Sequence, residues 1–274
     1  MALPGLTVDR SRSPSVVSFA PGFNVAAPFI DRHVAEGRGG KIAIRCQAGD
    51  VTYAELAEQV NRCGNALLEL GLAAGQRMLM VLRDGPEFFF LFWGAIKAGI
   101  IPVPLNAILR AADYRVIVED SGASAIVYSP ELAGEVEPAL APGAPPIALP
   151  VDGGPRSLRA RLAGASPRLD PVPADALAPC FWLYTSGSTG RPKGAVHRHR
   201  DMVVTSEQFG RGVLGIAETD VIFSAAKLFF AYGLGNAMTF PLWAGATTTL
   251  LEARPTARNT LEHIARFRPT LYFG

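Results

Sequence analysis

The residue types best suited to chemistry stand together in Tyr184-Thr185-Ser186-Gly187-Ser188-Thr189-Gly190-Arg191-Pro192-Lys193-Gly194. There, four Ser/Thr hydroxyls, three glycines and a lysine fall within eleven positions, directly after the apolar run 180–184. Glycines let the backbone turn closely, so its N–H groups and the neighbouring hydroxyls can surround phosphate oxygens, while Lys193 adds a point charge for the outer phosphates. A simple Ser/Thr/Gly surface turn is the plainer reading, and the Pro192-Lys193-Gly194 continuation argues against it. A Walker A loop requires its lysine to be followed by a hydroxyl residue at a helix start. Here Pro192 precedes the lysine, Gly194 follows it, and Ala195-Val196-His197 favours a strand, so that loop type is excluded.

Other candidates carry less. Arg191, Lys193, Arg198 and Arg200 form the one local basic cluster and suit a small anionic ligand; 26 basic against 24 acidic residues leave a net charge of +2 and no stripe for nucleic acid. His197 and His199 would share a face of a strand, but no third metal ligand is near in sequence. One histidine is expected to pack and the other to start the following helix. Cys46, Cys63 and Cys180 lack CxxC spacing, which fits unpaired thiols in a reducing cytoplasm. The first fifteen residues contain no apolar segment of the secretory type. The greasiest stretch, 88–96, is interrupted by Lys97 and Gly99 and reads as a buried helix, with no membrane span.

These residues need a scaffold, and 49% apolar residues in a 274-residue chain supply one. From 41 to 128 short apolar runs alternate with helical patterns, the signature of parallel βαβ units. Thr52 and Glu55 form a capping-box pattern ahead of Leu56, Val60, Cys63 and Leu67, and Gly71 stops that helix. A strand at 77–82, a helix opened by Pro86 and closed by Gly99, a strand from 100, a helix over 110–120 and a strand at 124–128 follow. Ten prolines between 138 and 179 mark a long surface connection carrying a short strand near 147–149. Beyond it come the loop, a strand at 195–197, a helix for which Asp201 is the expected cap, and strands at 246–251 and 270–273 flanking a helix over 256–267. The pattern is doubly wound α/β with mainly parallel sheets. It divides into a first α/β subdomain over 1–178, with its Pro-rich connection at 138–179, and an incomplete second one over 179–274. The closing Tyr272-Phe273-Gly274 is expected inside a buried strand.

The stretch YTSGSTGRPKG resembles the phosphate loop of the adenylate-forming superfamily of acyl-CoA and aryl-CoA synthetases, luciferases and peptide-synthetase adenylation domains. Val51-Thr52-Tyr53-Ala54-Glu55-Leu56 is similar to that family's T-Y-x-E-L segment. The stretch from Ala95 to Asn106 is similar to its K-A-G-x-x-x-V-P-L-N segment. The narrower likeness lies in Lys227-Leu228-Phe229-Phe230-Ala231-Tyr232-Gly233-Leu234-Gly235-Asn236, which resembles benzoate and hydroxybenzoate CoA ligases; Phe230 stands where fatty-acyl relatives carry a histidine. Small Ala231 and Gly233 beside aromatic Tyr232 suit a flat apolar slot for a ring.

The resemblance implies ATP with Mg2+, coenzyme A as co-substrate and an aryl carboxylate as the acid. Thr185, Ser186, Gly187, Ser188, Thr189, Gly190 and Lys193 would serve the β- and γ-phosphates, and Ala231, Tyr232 and Gly233 the ring. The family's magnesium-holding Glu, ribose-binding Asp, hinge and small C-terminal domain with its adenylation Lys are expected beyond Gly274, so the chain reads as an N-terminal portion without confident catalytic residues and inactive alone. An aliphatic acyl-CoA synthetase and a non-catalytic nucleotide-binding product are the competing readings.

Overall fold

The computed structural model describes residues 2–140, 145, 147–186 and 192–274. An antiparallel meander of β1 (Ala2–Leu3), β2 (Leu6–Asp9) and β3 (Val16–Phe19) opens the chain, with Leu6 and Val8 alternating into the core. A π-helical turn at Ala27–Asp31 runs into α1 (Arg32–Ala35). The hairpin of β4 (Ile42–Cys46) and β5 (Gly49–Thr52) ends on the cap of α2 (Tyr53–Glu69). Thr52 Oγ1 accepts from Glu55 N at 3.2 Å and the Glu55 carboxylate accepts from Thr52 N at 2.8 Å, the reciprocal pair expected of a capping box.

Next come β6 (Arg77–Val81), α3 (Pro86–Lys97), β7 (Ile101–Pro104), α4 (Ala111–Ser121) and β8 (Ala125–Tyr128). Helix α3 is buried over most of its length, as its composition demands. Lys97, only 2% exposed, is satisfied by donating to Asp31 Oδ1 at 2.6 Å and Asn61 Oδ1 at 2.7 Å. Helices α2 and α3 meet through glycine: a Cβ on Gly94 would lie 2.8 Å from both Cys63 Cβ and Val60 O. After α5 (Ala133–Val136), the Pro-rich connection holds the expected strand, β9 (Ile147–Pro150), and also α6 (Leu158–Gly164), which sequence periodicity did not reveal. Ser157 caps that short helix, and Leu158 and Leu162 are its buried anchors.

The remaining elements are β10 (Pro179–Ser186), β11 (Pro192–Arg198), α7 (His199–Thr205), β12 (Val221–Ser224), α8 (Ala231–Leu234), α9 (Phe240–Ala244), β13 (Thr247–Thr249), α10 (Ala257–Phe267) and β14 (Leu271–Phe273). Further π-helical turns occupy Ser206–Arg211 and Gly235–Thr239. Asp201 is not the cap of α7. It sits at the third helical position, and its carboxylate accepts from Arg198 N at 2.8 Å.

Two mainly parallel sheets carry the doubly wound pattern. One runs β7-β6-β8-β9 and the other β14-β12-β13-β4-β5, reversing direction at β6 and at β12. In such sheets ligand crevices form at the carboxyl ends of the strands beside the reversal. Three arrangements depart from the sequence reading. Strands β10 and β11 pair antiparallel with one another in a separate hairpin. Strand β4 pairs with β13, so the five-stranded sheet takes strands from both sides of residue 179 and the sheets do not divide there. Strand β14 is an edge strand, and Tyr272 on it is 48% exposed, where a buried strand was expected.

Candidate functional site

The Ser/Thr/Gly stretch is held by the β10–β11 hairpin, which lies against β7. Thr185 and Lys193 are cross-strand partners at its loop end, both exposed, and Ser186 pairs with Pro192. Gly187, Ser188, Thr189 and Gly190 lie outside the described residues. The hairpin is anchored on one face by aromatics. Tyr184 Oη donates to Asp120 Oδ2 at 2.5 Å, and the Arg77 guanidinium stands 5.4 Å from the Trp182 ring centre. Gly194 keeps that face flat, because a Cβ there would meet Trp182 at 3.0 Å and Tyr184 at 3.3 Å. A rigid two-stranded stem thus presents one hydroxyl and one ammonium beside the loop.

On the opposite face, Phe181 and Leu183 are buried, and the His197 ring stacks on Phe181 at 4.5 Å and 6°. Burial pushes the His197 imidazole below its ordinary value, so it is neutral at pH 7. His199 begins α7, and its Nδ1 accepts from Val25 N at 3.3 Å. One histidine packs and its neighbour opens the helix.

Phe181, Leu183 and His197 also line a hollow of about 180 Å³ with Met202, Ala231 and Phe240. A cavity of about 150 Å³ lined by apolar side chains is enough for benzene. Of the three residues expected at a ring pocket, Ala231 is therefore brought to the hairpin, at the solvent-facing rim of the hollow. Tyr232 does not line it; it is 52% exposed and meets the Phe273 ring edge-on at 6.5 Å. Gly233 serves packing: a Cβ there would lie 2.1 Å from Lys227 O and 2.6 Å from Ala226 O.

The other side of this segment faces a second, larger cleft of about 440 Å³, lined among others by Arg83, Ile108, Lys227, Phe229, Phe230 and Arg254. It lies where the chain leaves the carboxyl ends of β6 and β12, the two reversal strands. Asp84 and Lys227 join those ends. Their charged atoms are 3.6 Å apart, Asp84 Oδ1 accepts from Leu228 N at 3.1 Å, and Lys227 Nζ donates to the carbonyls of Leu251, Glu252 and Ala253 at 2.5, 3.1 and 2.8 Å. Burial raises the Asp84 carboxyl to about 6 and lowers the Lys227 ammonium, with the mutual attraction opposing both shifts. Sequence reasoning missed this pair, and no local spacing signals it. Among the described residues no three His, Cys, Asp or Glu side chains gather to hold a metal ion.

A family model described as AMP-binding enzyme matches residues 31–274. The benzoate–CoA ligase of Thauera aromatica is 44% identical over 97% of this chain and 51% of its own length. A crystal structure of a benzoate CoA ligase from Burkholderia xenovorans LB400 superposes with a TM-score of 0.84 at 38% identity, covering 92% of this chain and 50% of that one. An anthranilate CoA ligase solved with anthranoyl-AMP superposes at 0.89 with 29% identity, over 93% of this chain and 50% of that one. The chain spans about half the length of the relatives it matches.

Proposed function

Because the chain belongs to the AMP-binding enzyme family, we propose that it forms the phosphate-loop and aryl-pocket portion of an acid–thiol ligase for a benzoate-like carboxylate. A carboxylate is a poor acyl electrophile because its carbonyl already carries negative charge. In the proposed reaction its oxygen attacks the α-phosphorus of ATP and pyrophosphate leaves. The thiol sulfur of coenzyme A then attacks the carbonyl carbon of the acyl-adenylate, AMP leaves and a thioester remains. The work of the protein is to position the reactants and offset charge.

The observation that carries this reading is the hollow shared by the hairpin and Ala231, which puts a ring-sized apolar space on the stem of the phosphate loop. Thr185, Ser186, Gly187, Ser188, Thr189, Gly190 and Lys193 are assigned to the β- and γ-phosphates. Ala231 bounds the ring, with Tyr232 and Gly233 shaping the turn that carries it. His197, stacked on Phe181, and Asp201 are polar residues of an otherwise mostly apolar wall. The likenesses to benzoate and anthranilate CoA ligases support an aromatic acid. A role in aromatic-compound breakdown and a cytoplasmic location accompany the proposal. Cys46, Cys63 and Cys180 are free, and among the described residues no helix is long and apolar enough to cross a membrane.

The 274-residue chain alone is proposed to be inactive, since it spans only half of its relatives' length. Benzoate-dependent ATP–pyrophosphate exchange by the purified chain would overturn that part. In a polypeptide continued over the relatives' remaining length, exchange is expected with benzoate or hydroxybenzoates. A preference for short fatty acids would overturn the aromatic assignment, and no exchange with any acid would favour a non-catalytic nucleotide-binding role.

A further inference from the structure

At the amino ends of β12 and β13, opposite the end from which the 225–235 segment departs, lies a cleft of about 550 Å³. Arg10, Arg32, Arg38 and Arg211 line it together with Trp243. Most of the nearby charge is already matched. Arg38 is paired with Glu36 and, at 3.4 Å, with Glu218. Glu207, 1% exposed, accepts from Arg10 Nε at 2.7 Å, from Arg10 Nη2 at 2.9 Å and from Trp243 Nε1 at 2.8 Å, with Arg211 3.9 Å away.

Arg32 is the exception. It is 5% exposed, yet among the described residues no carboxylate oxygen lies within 4 Å of its guanidinium. Its Nη2 donates to Trp243 O at 2.6 Å, its Cζ stands 5.1 Å from the Trp243 ring centre, and its Nε has no hydrogen-bond partner. A buried cation with no carboxylate in contact is costly, and Glu36 acts on Arg32 only at longer range. Burial lowers the guanidinium only to about 10, so it is cationic at neutral pH.

We propose that this cleft binds a small phosphate-class dianion, with Arg32 and the half-exposed Arg211 as its charge partners. Forked guanidinium donors match tetrahedral oxoanions better than they match halides, and the cleft has room for an organic group on the phosphate. The cleft shares no lining residue with the β10–β11 hairpin that holds the Ser/Thr/Gly stretch.

The test is thermal unfolding of the 274-residue chain in inorganic phosphate against chloride at matched ionic strength, with Arg32→Lys, Arg211→Gln and Lys193→Ala in parallel. Arg211→Gln alters an exposed side chain and keeps the test valid should Arg32→Lys fail to fold. Phosphate is expected to raise Tm in the parent chain and in Lys193→Ala, with about tenfold weaker apparent affinity in the two arginine variants. A stronger response to glycerol 3-phosphate would identify phosphomonoesters as the source; a stronger response to inorganic phosphate would identify the free ion. No rise beyond chloride, or a rise unchanged in Arg211→Gln and Arg32→Lys, overturns the proposal. So does a rise lost only in Lys193→Ala, which would place the ion on the loop.

Discussion

Lys227 Nζ stands 3.6 Å from Asp84 Oδ2, and through that pair the chain leaving β12 is tied to the chain leaving β6. Asp84 is 5% exposed and its other oxygen accepts from Leu228 N, so the two parallel sheets are registered at their carboxyl ends by one desolvated carboxylate. Such a pair costs desolvation energy and returns it as geometry; losing either partner leaves an uncompensated charge or an empty cradle.

The pH dependence of this pair has a definite sign. Burial raises the folded-state Asp84 carboxyl from 3.8 to about 6, so the folded chain holds its proton more tightly than the unfolded chain does. The associated stability is fully present below about pH 4 and is lost as pH rises through about 6. Urea unfolding from pH 4 to 7 should show the parent chain losing stability relative to Asp84→Asn across that window. A difference that stays flat with pH would refute the assignment. Lys227→Met should cost about 3–5 kcal/mol at pH 7, and less at pH 4 where Asp84 is neutral.

Gly233 should tolerate no side chain. Its Cβ would lie 2.1 Å from Lys227 O, so Gly233→Ala must shift the 226–233 backbone. Differential scanning calorimetry is expected to show a loss of about 1–3 kcal/mol or more, as for other overpacked sites. An unchanged Tm would mean that the turn relaxes freely.

Ala231 behaves differently, because it lies on the rim of the hollow and faces solvent. Ala231→Leu should leave stability within about 0.5 kcal/mol while filling space meant for a ring. In the continued polypeptide, kcat/KM for benzoate should fall by about tenfold or more, since one misfitting methylene group alone is worth ~10-fold in a tight pocket. Equal turnover in parent and variant would remove Ala231 from the ring site.

The cap of α2 offers a simpler check. Thr52 closes both halves of the capping box with Glu55, and Thr52→Ala should cost about 1 kcal/mol in urea unfolding. Glu55→Gln should cost less, because an amide oxygen can still accept from Thr52 N.

Local elements were legible because their determinants lie within a turn or two of each other. Thr52 with Glu55, the 3- and 4-residue spacing that follows, Pro86 at a helix start, and Gly71 and Gly99 at φ 89° and 78° all act on their own backbone. The Ser/Thr/Gly stretch was legible for the same reason. Helix α6 escaped notice because only Leu158 and Leu162 reach the core from a Pro-rich stretch.

The sequence by itself determined α2 with its Thr52–Glu55 cap, α3 with Pro86 at its start, the alternation that makes parallel sheets, and the gathering of Ser, Thr, Gly and Lys between 185 and 193. Only the tertiary structure decided that β4 lies between β13 and β5, that β10 and β11 form their own antiparallel hairpin, and that Ala231 joins Phe181 and His197 around one hollow. It alone also set Lys227 against Asp84 and, among the described residues, left no carboxylate oxygen within 4 Å of the buried Arg32 guanidinium. The reason is physical. Propensity, capping and turn chemistry are encoded over a few neighbouring residues. Strand partners, cavities and buried charge pairs depend on which distant surfaces exclude water together, and a linear pattern does not specify that.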